Sequence, residues 1–227
     1  MREISVVINA RLGSTRVRHK LIRRFAGSSL IEIALAKLDQ MSFFKHRFLA
    51  VAEDELATYA DRYNNVEVLR RDPAAVTKGV NPLTTTFEHY LRVPTDYVFV
   101  FNPCLPCIEI ATVKAAFDYF QTTDYNSYTA VIPTGDWIFG PDGMPLTNSD
   151  PNNATTNKNR QFLKGCHAFH IIQKKFFAEN RILWRFVRDD PHLIVIPESQ
   201  SADVDTEEEF YLAEKLYEAQ RVRLDQR

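Results

Sequence analysis

Ile4-Ser5-Val6-Val7-Ile8-Asn9-Ala10-Arg11-Leu12-Gly13-Ser14-Thr15-Arg16 is a short apolar run that stops at a small-residue turn, and a helical pattern follows at residues 30–41. A strand, a turn and a helix in that order leave backbone N–H groups exposed at the edge of a sheet, where α/β proteins bind ligands. Between Ile4 and Ile31 the chain carries Arg11, Arg16, Arg18, Lys20, Arg23 and Arg24, with His19 among them and neither Asp nor Glu. Basic side chains beside free amides suit a polyphosphate. The competing reading is a solvated basic face; the position of Gly13 and Ser14, where the strand ends, weighs against it. Neither G-x-G-x-x-G nor G-x-x-x-x-G-K-[ST] occurs, which argues against a dehydrogenase and a P-loop ATPase.

Outward from this stretch, apolar runs alternate with helical patterns, the mark of a mostly parallel sheet covered by helices. Strands are expected at 47–52, 66–69, 97–101, 127–132, 166–172 and 192–196. Helices are expected at 54–63, 85–91, 109–120, 174–180 and 206–223, the third with Ile110, Val113, Ala116, Phe117 and Phe120 along one face. The rhythm breaks after Pro133. Trp137-Ile138-Phe139 and Met144-Pro145-Leu146 flank Pro141-Asp142-Gly143, which is turn chemistry for a projecting hairpin. Its aromatic residues either pack on the main body or meet another subunit. The polar stretch 148–161 reads as a mobile insertion. No repeat and no linker divides the chain, so 1–227 reads as one domain with an insertion at about 134–164.

Near the other end, Asp203-Val204-Asp205-Thr206 precedes the last helix, followed by Glu207, Glu208 and Glu209. Thr206 and Glu209 match a capping box. Alternation in an extended segment puts Asp203 and Asp205 on one side, where two hard oxygen ligands can share a divalent ion. Magnesium suits that pair, since it takes one or two carboxylates and completes its shell with water and phosphate oxygens. Cys104-Leu105-Pro106-Cys107, with Cys166 and His167, has the spacing for zinc, but buried apolar cysteines are the plainer reading. With three cysteines a disulfide framework is not expected. The formal net charge of −1 makes the basic block a local feature and disfavours nucleic-acid coating. Without a long apolar run or a signal-peptide pattern, the expectation is a soluble cytoplasmic protein with no membrane partner.

The residues 10–16 with Lys20, Phe25-Ala26-Gly27, Leu30-Ile31 and the late Asp203-Val204-Asp205-Thr206-Glu207-Glu208-Glu209-Phe210 resemble the acylneuraminate cytidylyltransferases, or CMP-sialic acid synthetases. They are also similar to the spore-coat polysaccharide biosynthesis protein F group and, more distantly, to CMP-Kdo synthetases. The resemblance implies a three-layer, Rossmann-like nucleotidyltransferase that moves CMP from CTP to a hydroxyl of an acidic sugar and releases pyrophosphate, for glycan or polysaccharide biosynthesis. It implies that Arg11, Lys20 and Asp205 are catalytic, with Arg11, Ser14, Arg16 and Lys20 on the triphosphate and Asp203 and Asp205 on Mg2+. Ala10, Gly13, Ser14, Arg16, Asn102 and His167 fall on its substrate-binding positions: Asn102 ends a strand lining the nucleotide and sugar site, and residues 165–169 resemble the wall of the sugar pocket. The hairpin near Trp137 is similar to the arm through which such enzymes dimerise.

The pattern departs at Leu21, where many sialic acid synthetases have Asn, and over residues 70–83, which match nothing in the family. Arg71 and Lys78 are available there for an anionic substrate, although solvated surface charge is the expected role of both. Two rivals remain at this stage. One is a metal-dependent glycosyltransferase, which also joins an α/β fold to an Asp-x-Asp pair; the other is a non-catalytic nucleotide-binding relative.

Overall fold

The computed structural model describes residues 2–77, 82–147, 152 and 162–225. The element order is β1 (Ile4–Asn9), β2 (Arg24–Phe25), β3 (Ser28–Ser29), α1 (Leu30–Gln40), β4 (His46–Val51), α2 (Asp54–Ala57), β5 (Glu67–Arg70), α3 (Leu83–Thr86) and β6 (Tyr97–Phe101). Then come α4 (Ile110–Thr122), β7 (Ser127–Thr134), β8 (Phe162–Gln173), α5 (Lys174–Asn180), β9 (His192–Val195) and α6 (Glu207–Asp225). Seven strands form one sheet in the order β5-β4-β1-β6-β8-β7-β9. Only β8 runs against its neighbours β6 and β7; the other pairings are parallel.

The central strand shows why the sheet is covered on both faces. Ile4, Val6 and Ile8 of β1 face a core completed by Leu30, Leu35 and Leu38 of α1, Val113 and Phe120 of α4, and Phe210 of α6. Val7 points the other way, to a smaller core with Phe48, Val98, Tyr90, Ile172 and Phe177 of α5. A strand buried on both sides reads as a continuous apolar run rather than an alternating one. Phe99, fully buried, meets Phe44 and Phe169 with ring centroids 5.1 and 4.9 Å away. Phe99→Ala should therefore cost about 3–5 kcal/mol of stability, read from urea unfolding.

Ser29 caps α1 by accepting the Glu32 N–H, and Glu32 reaches back to the Ser29 hydroxyl at 2.9 Å. The β2–β3 turn places both Ala26 and Gly27 at positive φ, 49° and 81°, the geometry that fits the twist of a two-residue hairpin.

Two expected helices are shorter than their patterns. Residues 54–63 give α2 and a 3-10 turn at Ala60–Arg62, because the Thr58 hydroxyl bonds back to the Glu55 carbonyl and competes with helix propagation. Residues 85–91 give the end of α3 and a 3-10 turn at Glu88–Arg92, broken at Phe87 after three consecutive threonines. The hairpin after Pro133 forms: Phe139 bridges Pro145, and the Gly140 N–H donates to the Met144 carbonyl at 2.8 Å. Its aromatic side chains stay about half exposed, Trp137 at 49% and Phe139 at 57%. The expected insertion at 148–161, apart from Asn152, and Lys78 lie outside the described residues.

Candidate active site

Four parallel strands, β1, β4, β5 and β6, end on the same edge of the sheet, and the polar residues of interest follow them directly. After β1, the loop 10–16 folds over the sheet edge. It is held by the Leu12 N–H on Glu53 Oε1 (2.9 Å) and by the Ser14 N–H on the Leu12 carbonyl (2.8 Å). Gly13 is not at positive φ, and a Cβ there would meet only the Val76 carbonyl at 4.0 Å. After β6, Asn102 turns its Oδ1 onto the Cys104 N–H at 2.9 Å. Between these turns lies a cavity of about 180 Å3 lined by Asn9, Arg11, Ser14, Thr15, Arg16, Lys20, Asn102 and Cys104, among others.

The tail of the chain packs against residues that line this cavity. The Val204 N–H donates to the Cys104 carbonyl (3.1 Å), and Lys20 Nζ donates to the Val204 carbonyl (2.5 Å). Val204 itself is fully buried, so the alternation expected of an extended segment holds its two aspartates on the polar side. Asp205 Oδ1 lies 2.8 Å from Arg16 and 3.3 Å from Lys20. Arg23 Nη1 donates to both carboxylate oxygens of Glu207, at 2.9 and 2.7 Å, and its guanidinium covers the Phe210 ring. The Glu209 carboxylate accepts the N–H groups of Asp205 and Thr206 while Thr206 Oγ1 accepts that of Glu209, which completes the expected capping box. The two ends of the chain, one basic and one acidic, thus meet beside the cavity.

The electrostatics follow from burial. Burial pushes the Asp203 carboxyl up to about 6, with Asp205 adding to the effect and Lys20 opposing it. Asp203 Oδ1 is buried without a hydrogen-bond partner. Lys20 is raised above its ordinary value: burial lowers it, but Cys104 and Asp205 together outweigh that, so it stays a cation. Burial lifts the Cys104 thiol to about 11, so the side chain is an uncharged wall rather than a nucleophile. Among the described residues, no group of three or more His, Cys, Asp or Glu side chains could hold a metal ion. The zinc alternative built on Cys104, Cys107 and Cys166 therefore falls away. A pair of carboxylates, one with an unpartnered buried oxygen, does fit a magnesium ion that takes its remaining ligands from phosphate and water.

The cavity gathers Arg11, Ser14, Arg16, Lys20 and Asn102 of the expected site. Ala10 and Gly13 do not line it; Ala10 is buried, and its N–H is spent on the Ala50 carbonyl at 3.0 Å. His167 also stands outside the lining, on β8. The β7–β8 ladder jumps from Thr129↔His170 to Val131↔Gly165, so β8 carries extra residues there, and His167 takes φ of 54°. The bulge brings His167 Nδ1 to 3.4 Å from His170 Nε2, which simple alternation would forbid for residues three apart.

Arg71 corrects the sequence-based expectation of solvated charge. It is 8% exposed and donates to the Ala75 and Thr86 carbonyls. Sequence reasoning also missed Glu53, which from its position just after β4 accepts the Leu12 N–H of the loop.

His170 and His89 are held neutral, pushed down to about 4 and about 3 by burial first and by neighbouring positive charge second. A histidine depressed in the folded state leaves the unfolded chain binding more protons, so stability falls as pH drops below the ordinary histidine value near 6.5. Urea unfolding should show the folding constant falling by up to about tenfold per pH unit for each site between roughly pH 6 and 4. His170→Gln should flatten that slope.

A doubly covered, mostly parallel sheet, with a basic loop at its carboxyl edge and an acidic tail folded against it, defines a nucleotidyltransferase. The chain belongs to the cytidylyltransferase family, whose model matches residues 5–221. It is 26% identical over 231 residues to the post-translational flagellin modification protein B of Campylobacter coli, covering 95% of each chain. It is 22% identical over 134 residues to the 3-deoxy-manno-octulosonate cytidylyltransferase of Rickettsia massiliae, which is 57% of this chain and 52% of that relative. Among solved structures, a CMP:2-keto-3-deoxy-manno-octonic acid synthetase complexed with CTP shares the fold with a TM-score of 0.67 at 14% identity, covering 96% of this chain and 99% of that one. Family membership removes the glycosyltransferase alternative. Among the described residues no helix is long and apolar enough to cross a membrane.

Proposed function

We propose that the protein transfers CMP from CTP to a hydroxyl of an acidic sugar of the sialic acid type, releasing pyrophosphate for glycan or polysaccharide biosynthesis. The observation that carries this reading is the convergence of Arg16 and Lys20 on Asp205 at one cavity. A relative named as an octulosonate cytidylyltransferase and a like-folded synthetase complexed with CTP support the nucleotide and the acidic class of acceptor.

In the reaction the sugar oxygen forms a bond to the α-phosphorus, the bond from that phosphorus to the bridging oxygen breaks, and pyrophosphate leaves with the electron pair. The hydroxyl proton passes to solvent. Such chemistry asks the protein for positioning and charge neutralisation rather than a covalent nucleophile. Arg11, Arg16 and Lys20 bind the triphosphate and gather the charge that develops on the leaving group. In the free enzyme, Asp205 holds Arg16 and Lys20 in place; when the triphosphate takes them over, the Asp203 and Asp205 carboxylates are left facing the phosphates. They would hold Mg2+, which would supply Lewis-acid stabilisation of charge on the phosphoryl oxygens. Asn102, which lines the cavity, and His167, on β8 outside that lining, are assigned to the sugar. We place the reaction in the cytoplasm, where nucleoside triphosphates are made.

We also infer a homodimer formed through the hairpin arm, supported by Trp137, Phe139, Met144 and Leu146 standing half-exposed or more. Phe139→Asp should then shift the protein from dimer to monomer in sedimentation without changing its melting temperature by more than about 2 °C. The catalytic reading is tested by pyrophosphate release from CTP in the presence of sialic acid-type keto acids. Binding of CTP without turnover of any of them would favour the non-catalytic alternative instead.

A further inference from the structure

A cavity of about 710 Å3 lies between α1 and α6 and shares no lining residue with the smaller one at the phosphate loop. Ile33, Ala36 and Gln40 of α1 line one side and Tyr217, Gln220 and Leu224 of α6 the other. In each helix these residues stand three and four apart, so each presents one stripe to the groove. Ile108 and Ala111, at the start of α4, complete the lining. The volume falls among those of small-molecule sites.

Each stripe also carries a cation, Lys37 on α1 and Arg221 on α6. Lys37 Nζ donates to the Pro106 and Ile108 carbonyls, the second at 2.7 Å, and the Tyr217 ring centroid lies 5.6 Å away. An ammonium has three protons, and two are spent. No carboxylate of the described residues comes within 4 Å of Lys37 Nζ, although buried charges are paired as a rule. Burial lowers the ammonium to about 8, more than Cys107 and Glu109 restore, and at neutral pH it is still a cation. Among the described residues the Arg221 guanidinium makes no ion pair either. The two carboxylates of the lining are committed elsewhere. Glu32 accepts the Ser28 and Ser29 hydroxyls and Arg62, while Glu109 accepts the Gln220 amide and faces Arg223 at 3.6 Å.

The geometry points to a second binding site, for a small amphipathic anion: an apolar body lying along the stripes of α1 and α6, with one carboxylate or phosphate head on Lys37 and Arg221. A neutral apolar molecule would fill the groove but leave the Lys37 charge without a counter-ion. A wholly hydrophilic anion would leave the apolar stripes in water. An amphipathic anion answers both, and the planar fork of Arg221 suits either head group.

The experiment measures binding of decanoate, decyl phosphate and decanol by titration calorimetry, with the wild type, Lys37→Met, Arg221→Gln and Ala36→Trp, and melting curves check that each variant folds. The wild type should bind at least one of the anions saturably and at least about tenfold more tightly than decanol, the difference a charge-assisted bond makes. Whichever anion binds more tightly identifies the head group, and either result supports the site. Lys37→Met should erase the preference over decanol while leaving decanol binding within about twofold of the wild type. Arg221→Gln should weaken the anions by about threefold. Ala36→Trp, which fills the groove from α1, should weaken all three ligands by at least about tenfold. Arg221 is exposed and Ala36 partly so, and these two variants carry the test if Lys37→Met fails to fold. Decanol bound as tightly as both anions, anion binding unchanged in Ala36→Trp, or no saturable binding of either anion below about 1 mM would each overturn the assignment. No arm uses a nucleotide, so failure here leaves the CTP reading untouched.

Discussion

Lys20→Ala is expected to lower kcat/KM for CTP by about a hundred- to thousandfold, the largest loss of any single substitution in the loop. Its side chain is the least exposed of the loop cations that face Asp205, 14% against 65% for Arg16, so its charge is the least screened by water. It is also held in place by the Val204 carbonyl, so it would meet a triphosphate already oriented. Because that bond ties the tail to the loop, the variant should also lose about 1–2 kcal/mol of stability. A loss of that size leaves the protein folded at room temperature, and circular dichroism with a melting curve will separate the two effects. A variant that turned over near the normal rate would remove Lys20 from the mechanism.

Asp205→Asn is expected to reduce turnover about as far, for a different reason. The substitution leaves the backbone N–H that caps α6 in place, since Glu209 accepts it, and so the fold should survive. What goes is one of two carboxylates assigned to the magnesium ion, along with the anion that faces Arg16 and Lys20 in the free protein. CTP measured without metal should therefore bind as tightly as before or more tightly, because a negative charge has left the neighbourhood of the phosphates. Turnover and its dependence on added magnesium should both collapse. Metal-free binding weakened in parallel with turnover would contradict a metal role and point instead to disorder of the tail.

Much of this site was legible in the sequence because its signals are local. An apolar run, a small-residue turn and six basic residues without a carboxylate sit within one short stretch, and an acidic pair before a capping box sits in another. What joined them was the expectation that a metal on the acidic pair would serve a triphosphate held by the basic loop, and the bonds from Lys20 to Val204 and from Arg23 to Glu207 show that the two stretches do meet. The parts that escaped depend on tertiary neighbours. Arg71 has the sequence context of a surface charge, yet it is buried where the 3-10 turn at Pro73–Val76 and the end of α3 supply the Ala75 and Thr86 carbonyls it donates to. Glu53 looks like the polar start of a helix, yet its carboxylate holds the loop after β1 by the Leu12 N–H. His167 and His170 meet across a bulge that strand periodicity alone does not announce. Ala10 was assigned to the substrate through its motif, but the sheet claims its N–H first.

The most direct measurement is release of pyrophosphate from CTP by the purified protein, with magnesium and a panel of keto acids of the sialic and octulosonic types. The account predicts that one of these acids elicits pyrophosphate and a CMP-sugar in equal amounts, and that neither forms when the acid is withheld. Pyrophosphate absent for every acid, despite CTP bound at the loop, would contradict it.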